Sequence, residues 1–347
     1  MVTVEDAGRT PYEALSPDEF GTPSVRCLPD GSVDQYYRLF DGRSDRVASR
    51  AAFADLVAGD DAESVTTVPH GVDGGGQAVN AARQVHALGG DAGVFGHLDH
   101  DVFADLPFAT RSMGRPAQIR VLEFEDREFM LSEESTDLRD WTPEALRSVD
   151  PGFASLADAD AVFVGNWVSA RGVADALEAF ASVDGLGPVV FDPGDLTHHD
   201  PGDVASLLAS VSVLAAERDV VLSTNAGEMR QIAASFAEDD GSLAEQTAAV
   251  QSETGVLAAV VHDVTRALAA TERGVHRVPN VVVDDVERTT GAGDRFGGAL
   301  AFGLGDGLSL VPALSLANAC ASRFVATAET AGRETVASVV ADASLHR

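Results

Sequence analysis

Lysine is absent from this 347-residue chain, so all 24 of its basic residues are arginine, set against 55 acidic ones. The formal net charge is −31, and no cluster of basic residues offers the affinity for a phosphate backbone that nucleic-acid binding requires. Only Cys27 and Cys320 are present, too few for a disulfide framework or a cysteine-ligated structural zinc. Each is expected to be a buried, inert thiol. No run of about 18 apolar residues occurs, and the acidic stretch from Met1 to Asp18 has no apolar run preceded by basic residues. Neither a membrane partner nor a leader is therefore expected, and the chain reads as cytoplasmic. Internal repeats and low-complexity tracts are missing as well. So acidic a surface repels itself in dilute buffer unless concentrated salt screens it to within a few ångströms, and the composition resembles that of proteins from salt-accumulating halophiles.

What is present is an α/β rhythm. From about Ala161 onward, short apolar runs (161–164, 189–191, 220–222 and 258–261) alternate with the segments 173–183, 204–216, 226–236 and 243–254, where apolar residues recur at helical spacing. Buried parallel strands covered by helices follow. Two polar and aromatic segments, Tyr36–Phe40 and Gln118–Phe124, the latter continuing through Glu125, Asp126 and 129–131, read as strands of a small side sheet. Such a sheet suits a lid over a ligand, with lid segments at about 34–45 and 113–131. Residues 1–20 read as a terminal extension and 21–347 as one domain.

The richest stretch for chemistry is Thr289-Thr-Gly-Ala-Gly-Asp-Arg-Phe296, where a small-residue turn runs directly into an apolar helical pattern. Free backbone N–H groups at Gly291, Ala292 and Gly293, aided by the positive end of the helix dipole, suit a phosphoryl group. An aspartate at that spot opposes a phosphate. Its presence makes sense if Asp294 takes a proton from an incoming hydroxyl; the plainer reading is a tight turn with Asp294 as a helix cap.

This stretch resembles the C-terminal signature of the ribokinase (PfkB) family, Asp-Thr-Thr-Gly-Ala-Gly-Asp-x-Phe, and matches it at eight of nine positions, the exception being Arg288. The resemblance implies that Asp294 is the catalytic base and that the Gly291–Gly293 amides stabilise the transferred group. The family's N-terminal signature, Gly-Gly-x-x-x-Asn followed by a helix ending in Leu-Gly, resembles Gly75-Gly76-Gln-Ala-Val-Asn80 and Leu88-Gly89. Its glycines would let a sugar approach the backbone, and Asn80 would bond hydroxyls; a strand-to-helix turn capped by Asn80 is the plainer reading. The segment Asn225-Ala-Gly-Glu228 resembles the family's Asn-x-x-Glu, which implies a carboxylate holding the water shell of Mg²⁺ beside the nucleotide. The same spacing also fits a capping box.

Further resemblances implicate Asp34 in gripping sugar hydroxyls, with Tyr36 next in line if the register slips at Pro29 or Asp30. Asn318 falls in the region of the adenine pocket. The family's Thr-x-Gly-x-x-Gly appears here as His262-Asp-Val-Thr-Arg-Ala267, with neither glycine kept; Thr265 is taken as a nucleotide contact, and ATP is the expected donor with another nucleotide left open. Arg288 reverses the charge of an aspartate that, in many relatives, helps bind a monovalent cation. It either takes the cation's place beside the turn or pairs at the surface with Asp284 or Asp285.

The fold implied is ribokinase-like: three layers around a mostly parallel sheet, plus the β-sheet lid. The activity implied is transfer of a nucleotide's terminal phosphate to a hydroxyl of a sugar, sugar phosphate, sugar acid or nucleoside, with a second copy pairing through the lid edge. A silent ligand-binding module on the same fold is the alternative. A nicotinamide-dependent dehydrogenase ranks last, since Gly303-Leu-Gly-Asp-Gly307 follows a helix rather than a strand. His86, His97 and His100 suit no zinc spacing and read as surface or supporting positions, and His198-His199, followed by Asp200 and Pro201, reads as a solvated loop.

Overall fold

Apolar runs four to six residues long, too short for buried helices and rich in valine, form the centre of the main sheet. The computed structural model describes residues 3–41, 45–59, 64–125, 128–133, 135–197, 199–236, 241–342 and 344–346. Asp126 of the lid and His198 lie outside these described residues. Ten strands make the main sheet: β1 (Val4–Asp6), β2 (Ser24–Leu28), β5 (Asp91–Gly96), β6 (Ala109–Ser112), β9 (Ala161–Gly165), β10 (Val189–Asp192), β11 (Val220–Asn225), β12 (Ala258–His262), β13 (Arg266–Thr271) and β14 (Gly274–Pro279). Their spatial order is β1-β14-β13-β12-β11-β10-β9-β2-β5-β6. Every pairing is parallel except β12–β13 and β13–β14. β9 and β10 are buried along their whole length, as runs sandwiched between two helical layers must be.

One layer carries the helices Gln77–Ala87, Ala292–Gly305 and Leu310–Thr327, packed on Phe163, Val190 and Val221. The other carries Val173–Phe180, Pro201–Ala215, Ala226–Ser235 and Leu243–Thr254, packed on Val162, Phe191 and Leu222. The expected helices are thus found to within a few residues at their ends. The Leu310–Thr327 helix has the length and mean hydropathy of a membrane span, yet more than half of it is buried against the fold, which makes it a core helix. Cys27 and Cys320 are both buried and unpaired.

Glycine sets how closely the helix bearing Asp294 can approach. A Cβ on Gly298 would lie 2.7 Å from the Ala81 Cα, so only a bare backbone lets the Gln77–Ala87 and Ala292–Gly305 helices meet there.

The small sheet has four strands in the order β4-β3-β7-β8: β3 (Ser32–Phe40), β4 (Thr66–Gly75), β7 (Ala117–Glu123) and β8 (Glu128–Glu133). Three of them are the strands expected of the small side sheet. β4 was not legible, because Pro69 and three glycines among its ten residues argue against a strand. It is an edge strand, where a missing N–H is tolerated. The β3–β4 register shifts between Tyr36 and Tyr37, a bulge that re-aims neighbouring side chains.

Residues 1–20 are not a detached extension. β1 extends the main sheet beside β14, and the buried Tyr12 hydroxyl donates to the Pro279 carbonyl at 2.8 Å.

Candidate active site

Parallel strands end together on one side of the sheet, and their carboxyl ends assemble the site, as in open α/β sheets generally. Gly291 caps the Ala292–Gly305 helix with φ +88°, a left-handed conformation that favours glycine. The turn it makes is a wall between two clefts. The first, about 270 Å³, is lined by Asp34, Gly76, Asn80, Arg288, Gly291 and Asp294. The second, about 520 Å³, is lined by Asn225, His262, Val281, Ala292, Gly293 and Asn318, with further apolar walls from Val283, Val286 and Val325.

Folding brings the two signatures into contact: Asn80 Nδ2 donates to Asp294 Oδ2 at 2.8 Å across 214 residues of sequence. Asp294 is half-buried, and desolvation pushes its carboxyl above the usual aspartate range, while Asn80 and Arg295 pull the other way. Asp34 is also raised by burial, against the Ser32 hydroxyl, which donates to it at 2.6 Å. Gly75 does not line the cleft. It pairs with Ser32 in the sheet, and a Cβ there would strike the Asp34 carboxylate, so its role is to leave room for Asp34.

Asn225 and Glu228 form the capping box in full: Asn225 Oδ1 accepts from the Glu228 N–H at 3.0 Å, and Glu228 Oε2 accepts from the Asn225 N–H at 2.9 Å. The cap leaves the carboxylate in an unusual electrostatic position. Burial pushes Glu228 up to about 7, and buried Asp192, at the end of β10, is raised well above its ordinary value by burial and by the charges of Glu228 and Asp294. Asp192 was missed in the sequence, where Phe191-Asp-Pro193 reads only as a strand end.

Glu228 therefore weakens the fold above neutrality. The unfolded chain releases this proton near 4.5 and the native chain near 7, so stability falls as pH rises through that window and stays lower above it. Glu228→Gln keeps the capping-box geometry. It should stabilise the protein by on the order of 1–3 kcal/mol at pH 8 and by nearly nothing at pH 4, as read from thermal unfolding in concentrated salt.

The remaining positions divide. Asn318 lines the second cleft, but its amide is buried and donates to the Val278 carbonyl at 3.5 Å. Thr265 lines neither cleft; its carbonyl accepts from the Asn280 N–H at 2.9 Å. The corner expected of it is held by His262, buried against Phe296 with ring centroids 5.0 Å apart and pushed down to about 4 by burial, hence neutral. Arg288 neither pairs with Asp284 or Asp285 nor projects to solvent: its guanidinium donates to the Tyr36 hydroxyl and lines the first cleft. Of the surface and supporting positions expected for His97, the structure shows a buried one, hydrogen-bonded to the Pro29 carbonyl at 2.8 Å. Asp30, in the sequence only a register ambiguity, accepts from the Gln77 and Ala78 N–H groups and from Asn166 Nδ2 at 2.8–2.9 Å. It anchors the helix that carries Asn80.

The family model for prokaryotic ketohexokinase matches residues 3–342. A ketohexokinase from Haloferax volcanii is 30% identical over 323 residues, covering 86% of this chain and 85% of its own. Among solved structures, a phosphofructokinase-2 mutant from Escherichia coli superposes with a TM-score of 0.68 at 14% identity, covering 92% of this chain and 98% of its own. Arabidopsis thaliana ribokinase complexed with ribose and ATP gives 0.63 at 17% identity, covering 92% and 99%. These two show the shared ribokinase-like fold.

Proposed function

Because this chain belongs to the prokaryotic ketohexokinase family, and so is a carbohydrate kinase, we propose that it phosphorylates a ketohexose with ATP, using Asp294 as base. The observation that carries this reading is the wall shared by the two clefts. Asp294 and Gly291 face the smaller one and Ala292 and Gly293 the larger, so an acceptor hydroxyl and a nucleotide's terminal phosphate would meet at the turn.

The acceptor lies between Asp34 and Asp294. Asp294 withdraws the proton of the attacking hydroxyl; its raised affinity for protons suits a base, and the Asn80 amide holds the carboxylate toward the cleft. The phosphoryl group passes across the Gly291–Gly293 N–H groups, whose dipoles meet the charge that develops on it. The valine-walled cleft takes the base of the donor.

Among the described residues no group of three His, Cys, Asp or Glu side chains is close enough to hold a metal directly. Glu228 and Asp192 would hold Mg²⁺ through waters of its shell rather than directly. It would neutralise phosphate charge, and a cation there would favour the ionised form of these two buried carboxyls, whose proton affinities are raised.

A coupled assay in concentrated salt, crossing ketohexoses, aldoses and nucleosides with ATP, ADP and GTP, tests the reading. Turnover should be highest with a ketohexose and ATP, and a blank panel would favour a silent binding module. Asp34→Ala should raise the acceptor KM by about tenfold to a hundredfold, the worth of one or two hydrogen bonds to a charged group, and leave the ATP KM in place. Equal movement of both constants would remove Asp34 from the acceptor site.

A further inference from the structure

Arg288 has no part in the mechanism proposed above, yet its side chain lines the acceptor cleft. Its backbone is fixed to the core, where its N–H donates to the Val325 carbonyl at 3.2 Å. From there the guanidinium crosses to the lid: it lies 5.4 Å from the centroid of the Tyr36 ring and donates to that residue's hydroxyl. Phe324 closes the other side at 5.8 Å. Opposite Tyr36 and Tyr37 the partner strand β4 carries one extra residue, His70, a bulge that increases the local twist where β3 presents this tyrosine.

The charge has no matching carboxylate. In a chain with 55 acids and 24 arginines, Arg288 makes no salt bridge with any described residue, and its Nε is buried without a partner. Asp34 and Glu128 influence it only through space. One amino group is engaged by Tyr36; the other makes no hydrogen bond among the described residues. A planar fork with a free donor, lining the same cleft as the acceptor-only Asp34, is arranged to give a hydrogen bond to an oxygen on the ligand.

We propose that Arg288 is a specificity-determining residue, which donates to one hydroxyl or carbonyl oxygen of the ketohexose and, through Tyr36, holds β3 over the bound sugar. Asp34 accepts from the sugar and Arg288 gives to it, so the two read opposite hydrogen-bonding characters. This inference rests on the acceptor reading of the cleft given above.

The test measures wild-type enzyme, Arg288→Ala, Arg288→Lys and Tyr36→Phe against a ketohexose and a set of its singly deoxygenated analogues, with ATP varied independently. In wild type, one analogue should lose about a hundredfold or more in kcat/KM, as a site built around a hydrogen bond rejects a ligand lacking it. Arg288→Ala should lose a similar factor on the parent sugar and no longer distinguish that analogue, with the ATP KM unchanged. Arg288→Lys, which keeps charge but not the fork, should fall between, and Tyr36→Phe should raise the acceptor KM by a few-fold. If Arg288→Ala discriminates among the analogues as wild type does, or raises the KM of donor and acceptor alike, Arg288 merely packs the lid and the inference falls. Should Arg288→Ala fail to fold, the discrimination pattern of Arg288→Lys decides by the same criterion. Wild-type enzyme inert toward every ketose would overturn the acceptor reading itself, a result distinguishable from loss of the Arg288 effect alone.

Discussion

Asp294→Asn is expected to lower turnover by about two to four orders of magnitude, as loss of a general base should, while leaving ATP binding intact. The substitution is nearly isosteric. The amide it introduces can still meet Asn80 through a hydrogen bond, so the contact that joins the two signatures survives in altered polarity. Stability should not suffer. Desolvation raises the proton affinity of the half-buried Asp294, so the native state keeps a proton to higher pH than the unfolded chain does, and ionisation above the ordinary aspartate range weakens the fold. Removing the ionisable group therefore leaves the unfolding temperature at pH 8 unchanged or higher. Wild-type kcat/KM should rise with pH through an apparent pKa above that of a free aspartate, and the residual activity of Asp294→Asn should lack that limb. Near-normal turnover in the folded variant would take Asp294 out of the mechanism.

Loss of salt is expected to have a comparably large effect. If each of the 24 arginines neutralised one carboxylate, 55 − 24 = 31 would remain uncompensated. The observed pairs are largely exposed, such as Arg115 with Asp137 at 3.0 Å and Arg139 with Asp140 at 3.0 Å, and exposed pairs contribute about 0–1 kcal/mol each. Screening is left to the solvent, whose Debye length grows from about 3 Å at 1 M to about 30 Å at 0.01 M. Repulsion then acts across the whole molecule. Dialysis from concentrated salt into dilute buffer near neutral pH should abolish activity and the cooperative unfolding transition together, and restoring salt should recover both where the unfolded chain has not aggregated. Circular dichroism and turnover followed along a salt titration check this. Full activity in dilute buffer would show that the carboxylates are spaced widely enough to tolerate one another unscreened.

Much of the architecture was legible because its signals are local. The valine-rich runs at 161–164, 189–191 and 220–222 could only be buried strands, and the helices between them were found nearly at their ends. The lid strands 36–40 and 118–124 were legible as strands, though not that they pair with each other in parallel. β4 was hidden because its residues are those that usually break strands, and only its place at a sheet edge makes them tolerable. β1 was hidden for a different reason: three exposed residues carry no periodicity, and their strand character comes entirely from β14.

The candidate site follows the same division. Gly291, Asp294, Asn80 and Glu228 lie in motifs whose spacing is fixed by one turn of chain, so the sequence by itself determined these candidates for the chemistry. Side chains that enter the site from a distance were decided by tertiary structure alone. Asp192 becomes significant because β10 ends beside β11 and its charge meets that of Glu228 in a buried place. His262 rather than Thr265 faces the larger cleft because β12 stops where the turn begins. Arg288, whose sequence neighbours Asp284 and Asp285 offered it partners, turns away from both because Tyr36 and Phe324 present aromatic faces within reach. A motif encodes backbone conformation over a few residues, and that survives in any context. The direction of a long side chain, and the proton affinity of a carboxylate, depend on what the rest of the chain packs around it.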